Sequence, residues 1–183
     1  MSSVIGGIYF LVRVIFFLIV LVLMLRLLFP VFKVDRQNPF VQAILSITKG
    51  FVAAAQGVFP VINHVDMGTL VVILVLTMLK IFLLQVFSFS GVDLVWLPIS
   101  AVFDAARVVL DIFFFSIIVM VIYSFFPSPQ LGQLAAVANR FAQPILTPIQ
   151  KIMPNTGAFD FSPIVAMIGI KLVDIVFLSP FVY

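Results

Sequence analysis

Seven ionisable side chains, Arg13, Lys80, Asp104, Arg107, Asp111, Lys171 and Asp174, fall inside or at the edges of long apolar runs. A charge at the centre of a bilayer costs about 2.5–3.5 kcal/mol even on a lenient insertion scale. These side chains are therefore expected to turn inward and meet one another. Asp104, Arg107 and Asp111 are spaced i, i+3 and i+7, so they share one helix face and can pair, and Lys171 and Asp174 are again three apart. The tally is four cations against three aspartates. Two chemistries suit such a set. In one, the charges register helices and neutralise each other. In the other, they line a polar path or binding site for an ion or a proton.

Little else could react. His64 is the single histidine, sits in a loop and has no neighbouring ligand type, so an exposed loop residue is expected. With no cysteine, disulfides and thiolate metal sites are excluded. No glycine-rich phosphate loop, paired catalytic carboxylates or serine with a base occurs in a known arrangement. An enzyme is the least expected class, and neither a metal nor a cofactor is expected.

The elements that position the charges follow from composition. The chain of 183 residues is 64% hydrophobic and 9% charged, with 22 phenylalanines, and its mean hydropathy is +1.33. A soluble domain carries about a quarter charged residues, so lipid is the expected solvent. Four segments, about 8–29, 67–89, 105–126 and 161–182, meet the requirement of about 20 mostly apolar residues for a span. Their apolar residues run on without alternating, which favours helices over a β-barrel. The N-terminal run has no preceding positive charge and no small-residue cleavage site, so a retained span is expected rather than a signal peptide. At about 1.5 Å rise per residue, Arg13, Lys80, Asp111, Lys171 and Asp174 fall in the outer half of the bilayer, and Asp104 and Arg107 near its outer edge. Arg26, near the inner end of the first span, is expected to snorkel to headgroups.

Pro30 and Pro127 end the first and third spans, and two long loops follow, about 31–66 and 128–160. Each holds an amphipathic stretch. In 39–58, Gln42, Ser46, Lys49, Ala53 and Gln56 form a polar or small stripe opposite Phe40, Ile44, Ile47, Phe51, Ala54 and Val58. In 131–150 the stripe is Gln133, Arg140, Gln143, Thr147 and Gln150, interrupted by Val137 and Pro144. Each reads as a helix lying in the membrane interface or packed on the end of the bundle. Lys33, Arg36, Lys49, Arg140 and Lys151 lie in these loops. By the positive-inside rule the loops should be cytoplasmic, with both termini and Trp96 on the far side. Arg13 and Arg107, just inside the far ends of their spans, count against that orientation. The net charge of +3 suits short basic loops better than nucleic-acid binding.

The two halves, 1–92 and 93–183, are copies of one unit. Phe29-Pro30 aligns with Phe126-Pro127, and after a three-residue length difference Pro60 aligns with Pro154, Asp66 with Asp160 and Lys80 with Asp174. Asp66 before Gly68-Thr69, and Asp160 before Ser162-Pro163, read as caps of the second span of each copy. Two spans per copy imply parallel repeats about an axis along the membrane normal, enclosing a four-helix bundle interior. Arg13 corresponds to Asp111 and Lys80 to Asp174, so opposite charges lie at equivalent depths and can pair across that axis. Four spans make a narrow bundle, so an internal pathway calls for a homo-oligomer or a membrane-protein partner.

The run FAQPILTPIQKIMPNTGAFDFSPI resembles the hallmark of the YggT family of small bacterial and plastid membrane proteins. That hallmark reads approximately Thr-Glu-Pro, two apolar residues, Arg-Pro-Ile-Arg-Arg, an apolar pair ending in proline, a glycine-containing turn, then Asp-Leu-Ser-Pro. Pro144, Pro148, Lys151, Pro154, Gly157, Asp160, Ser162 and Pro163 match it; Ala142, Gln143, Thr147 and Gln150 depart. The first loop keeps Arg36, Asn38, Pro39, Thr48, Pro60 and Asp66, while Gly50 and Ala54 stand where prolines are expected. The resemblance covers nearly the whole chain and implies a multi-pass bacterial inner-membrane protein of the two-repeat form. It further implies a role in osmotic or ion tolerance, or in membrane organisation and complex assembly.

Overall fold

A computed structural model describes residues 3–88, 91, 93–153 and 160–181. Six α-helices dominate: α1 (Ser3–Val31), α2 (Pro39–Gln56), α3 (Met67–Ser88), α4 (Leu97–Phe125), α5 (Pro129–Ile152) and α6 (Ser162–Val173). The last helix continues through a π turn (Asp174–Leu178) and a 3-10 turn (Ser179–Phe181). α1, α3, α4 and the extended α6 are long and apolar enough to cross a membrane. The protein is thus all-α, with four spans and a loop helix after the first and third.

Local chemistry moves several boundaries from their expected places. Pro30 does not end α1, which runs on to Val31. Its closure comes when Lys33 turns left-handed (φ 51°) and Val34 N–H bonds the Phe29 carbonyl at 2.9 Å, a Schellman closure with lysine where glycine is usual. α4 begins at Leu97, well before residue 105, because Asp93 accepts from the N–H groups of Val95 and Trp96 at 3.1 and 3.3 Å and proline suits the first turn. A small hairpin, β1 (Val61–Ile62) with β2 (Val65–Asp66), was not foreseen from the sequence. Asn63 and His64 form its turn with φ of 48° and 69°, and His64 is exposed there.

The spans do not close into a square bundle. α4 is the hub: it packs on α3 and α1 with one face, and on α6 and α5 with others. Val20, Leu23, Met24 and Leu27 of α1 meet Ile73 of α3, Ala105, Val108 and Ile112 of α4, and Phe141 of α5 in one core. Ile117, Ala142, Leu146, Ala166 and Ile170 join α4, α5 and α6 in a second. The enclosed four-helix interior expected between facing repeats is replaced by these two cores on separate faces of α4.

Both loop helices dock on the spans. α2 buries Val41, Ile44, Thr48 and Val52, spaced three and four apart. Its uncovered Ile47 and Phe51 lie beside a polar stripe. α5 buries Ala135, Val137, Ala138, Phe141, Ala142 and Leu146, so Val137 is a packing residue and not a flaw in the polar stripe. The two loop helices touch where Asn38 Nδ2 donates to the Gln133 carbonyl at 2.8 Å.

At Gly68 the start of α3 passes against the end of α2. A Cβ there would lie 2.9 Å from the Gln56 backbone nitrogen and 3.0 Å from the Ala55 carbonyl. Gly68→Ala should therefore push α2 off α3 and cost about 1–3 kcal/mol, measured by SDS-titrated unfolding. An unchanged transition would mean that the α2–α3 junction yields without strain.

Candidate functional site

Six of the seven charges pair, but with partners other than those the repeat alignment suggested. Lys80 of α3 meets Asp104 of α4, and both are buried. Arg107 Nε lies 3.0 Å from Asp174 Oδ1, and Lys171 Nζ lies 3.1 Å from Asp111 Oδ1. Lys171 also stands 3.8 Å from Asp174 Oδ2 and 4.8 Å from the centre of the Phe114 ring. Lys80 thus pairs with Asp104 and not with its repeat counterpart Asp174, and Asp111 pairs with Lys171 and not with Arg13. The reason is the hub arrangement: three consecutive acidic or basic positions on α4 reach α3 in one direction and the fourth span in another. Lys80 and its repeat counterpart Asp174, one on each flank, are held apart by α4 itself.

Asp174 is 3% exposed and sits at the junction where the α-helix passes into the π turn. A π turn widens the helix locally and re-aims the side chain at its start. Arg107 is within ion-pairing distance of Asp174 Oδ1, yet that oxygen has no aligned hydrogen-bond donor. Beyond it, Phe103 stacks on Phe181 with centroids 4.2 Å apart, which holds the end of the fourth span against α4.

Between α1, α3 and α4 the seam opens into a cavity of about 350 Å³. Arg13, Lys80, Asp104, Arg107 and Asp111 face it, with Phe10, Val14, Phe17, Leu84 and Val108 as its apolar wall. Arg13 has no ion pair or hydrogen bond among the described residues. Counting along the helices, Lys80 lies about 20 Å beyond the start of α3 and Arg13 about 27 Å from the end of α1. The cavity is therefore in the half of the bundle away from α2 and α5. The other half is filled by the apolar core around Leu23, Met24 and Ile73.

The loop residues form a second recurring device. Asp66 accepts from the Gln56 side-chain amide, from the Thr69 N–H at 3.2 Å and from the Thr69 hydroxyl at 2.7 Å. Asp160 accepts from the Gln150 amide at 2.8 Å and from the Ser162 N–H at 2.8 Å. Each aspartate caps its span as expected, and each also ties that span to the loop helix before it. Both Gln–Asp pairs are ten residues apart, a shared spacing visible in the two copies of the sequence. Arg26 does not snorkel. Its Nη1 donates to the Leu45 carbonyl at 3.0 Å and to Thr48 Oγ1 at 2.9 Å, a strut from α1 to α2.

Burial pushes the Asp66 carboxyl upward, but the bonds from Gln56 and Thr69, with the charge of Arg26, outweigh it and hold it below its ordinary 3.8. The Ser162 and Gln150 bonds likewise lower Asp160. A depressed carboxylate contributes stability that is present above the unfolded value and lost as pH falls through the folded one. Stability should therefore fall more steeply below about pH 3.8 in the parent than in Asp66→Ala, and Asp66→Ala should cost about 0.5–2 kcal/mol at neutral pH. Superimposable acid limbs in a pH series of SDS unfolding curves would show that the carboxylate bonds contribute nothing.

Of the other motif residues, Asn38 caps α2 by accepting from the Phe40 N–H at 2.9 Å, with Pro39 in the first turn. Pro60, Pro144, Pro148 and Lys151 are exposed, both internal prolines of α5 lying on its outer side. Ser162 is buried and Pro163 lies in the first turn of α6. Pro154 and Gly157 lie outside the described residues.

The family model CCB3/YggT matches residues 1–87 and 99–181. The chain belongs to the CCB3/YggT family. The two matched stretches divide this CCB3/YggT chain as its internal repeat does, each with two spans and a loop helix. It is 28% identical over 164 residues to the uncharacterized protein PA0392 of Pseudomonas aeruginosa, covering 88% of this chain and 83% of that one. It is 26% identical over 166 residues to the uncharacterized protein YggT of Escherichia coli K12, covering 90% and 86%. A Vibrio alginolyticus relative, an uncharacterized protein in the proC 3′ region, is 26% identical over 170 residues, 90% of each chain. No solved structure matches this CCB3/YggT chain.

Proposed function

We propose that this protein contributes to ion or osmotic homeostasis in a bacterial inner membrane, and that the charge seam on α4 is its working site. The observation that carries the reading is the cavity, where five ionisable residues face one space within the spans. Burying that many charges is costly, and pairing alone would need no open volume. The apolar half of the bundle around Leu23, Met24 and Ile73 makes modulation of a transporter, or a path completed by a second copy, a better fit than a pore through one chain. The basic loops carrying Lys33, Arg36, Lys49, Arg140 and Lys151 favour α2 and α5 on the cytoplasmic side and both termini in the periplasm. The seam's carboxylates are engaged with cations, which supports a role other than catalysis.

Complementation of a deletion strain under osmotic, sodium and potassium stress tests this. Lys80→Met/Asp104→Leu removes both charges and keeps their volume, so it should fold and fail to rescue growth. Full rescue at matched membrane levels would remove the seam from the mechanism.

The second reading is an assembly factor that docks membrane partners through the loop helices. It is favoured by the uncovered Ile47 and Phe51 of α2, and by a groove between the repeats where Lys33 and Arg140 meet Gln143 and Thr147. Photocrosslinkers at Lys49 and Arg140 should then trap discrete proteins; crosslinks to lipid alone would count against it.

A further inference from the structure

We propose that the cavity between α1, α3 and α4 is an oxyanion site, holding one phosphate or carboxylate group against Arg13. This rests on the seam being the working site, and it fixes the sign of the ion that the site takes. The charges decide it. Lys80 is matched by Asp104, Arg107 by Asp174, and Asp111 by Lys171. Four cations against three aspartates leave a surplus of one positive charge, and the pairing places it on Arg13. Sodium or potassium would find no unengaged carboxylate facing the cavity and would meet that surplus. An anion meets the reverse: an unpaired guanidinium, with Lys80 and Arg107 behind it.

The surroundings strengthen the attraction. Phe10, Val14 and Phe17 flank Arg13 along α1, and Leu84 and Val108 face it. An uncompensated charge beside apolar walls and lipid is expensive, so its neutralisation is correspondingly favourable. A guanidinium fork matches the two oxygens of a phosphate or carboxylate, which a point cation does not. The volume of about 350 Å³ admits one such group, at the small end of ligand cavities. Arg13 is itself exposed on α1, so the group can arrive on an anionic lipid headgroup or as a free ion.

The full chain, exchanged into phosphatidylcholine nanodiscs, provides the test. Thermal unfolding is followed with inorganic phosphate or acetate against chloride at matched ionic strength. Retention of added phosphatidylglycerol is followed by native mass spectrometry. The parent should bind at least one probe about tenfold or more tightly than Arg13→Gln, the loss expected for a charged hydrogen bond. Arg13→Lys should fall between them, and it carries the comparison if Arg13→Gln does not fold. Phosphatidylglycerol retention without a phosphate response assigns a headgroup, and the converse assigns a free anion. Equal binding by parent and variants overturns the proposal, as does stabilisation by sodium over choline at fixed anion. A variant that loses the oxyanion yet rescues osmotic growth keeps this site and removes the homeostasis reading. One that binds as the parent does yet fails to rescue has the opposite consequence.

Discussion

Lys80→Ala should destabilise the protein by about 3–5 kcal/mol, and Lys80→Met/Asp104→Leu should recover most of that loss. Both members of the pair are buried, at 7% and 6% exposure. Removing only the lysine leaves a buried aspartate charged between helices without its partner, and the cost is that of the orphaned charge. Removing both replaces the pair by apolar side chains of similar volume, which is often neutral or better. A charge exchange separates pairing from position. Lys80→Asp with Asp104→Lys re-forms the same contact with its polarity reversed and should retain the fold. Lys80→Asp with Asp174→Lys should not. It sets an aspartate at position 80 against Asp104 and a lysine at position 174 against Arg107, two like-charge contacts where two ion pairs stood. SDS-titrated unfolding of the four variants checks this directly. Equal stability of the two exchanges would mean that the seam responds only to net charge.

That contrast marks where sequence reasoning reached its limit. The position of each charge along its helix was legible, because helix rise converts residue number into distance along the axis. Which charge faces which was not, because that depends on how each helix is rotated and on which element is central. The repeat alignment put Lys80 and Asp174 at one height, but each pairs with α4, which stands between them. The spans themselves were legible from continuous apolar runs. The α4 start was missed because the capping of Val95 and Trp96 by Asp93 leaves no hydropathy signal. The Gln56–Asp66 and Gln150–Asp160 ties were within reach, since the same ten-residue spacing recurs in both copies. Arg26 was misplaced because its partners, a carbonyl and a threonine on α2, exist only once α2 folds back on α1.

Phe141→Ala should cost about 3–5 kcal/mol and loosen the two repeats from each other more than it unfolds either one. Phe141 is 1% exposed and belongs to the second repeat, yet its ring lies against the first. It stacks on Phe29 with centroids 6.2 Å apart and meets Phe32 edge-on at 5.2 Å. Phe32 in turn meets Phe113 of α4 edge-on at 5.7 Å. Lipid is as apolar as these rings, so hydrophobic transfer supplies little of the attraction between spans; shape and dispersion supply most of it. Deleting one ring from such a contact leaves a void whose lining loses partners outright. The neighbouring inter-repeat bond from Asn38 to the Gln133 carbonyl is a single neutral hydrogen bond, worth about 1 kcal/mol, and cannot hold the seam alone. Limited proteolysis in the 88–97 connection between the repeats, together with SDS unfolding, should show earlier cleavage and a lower midpoint in Phe141→Ala. Phe141→Leu, which refills part of the volume, should lie between. Since α4 carries both the aromatic contact and the charges, the same variant should weaken oxyanion binding at Arg13 without touching a single charged group.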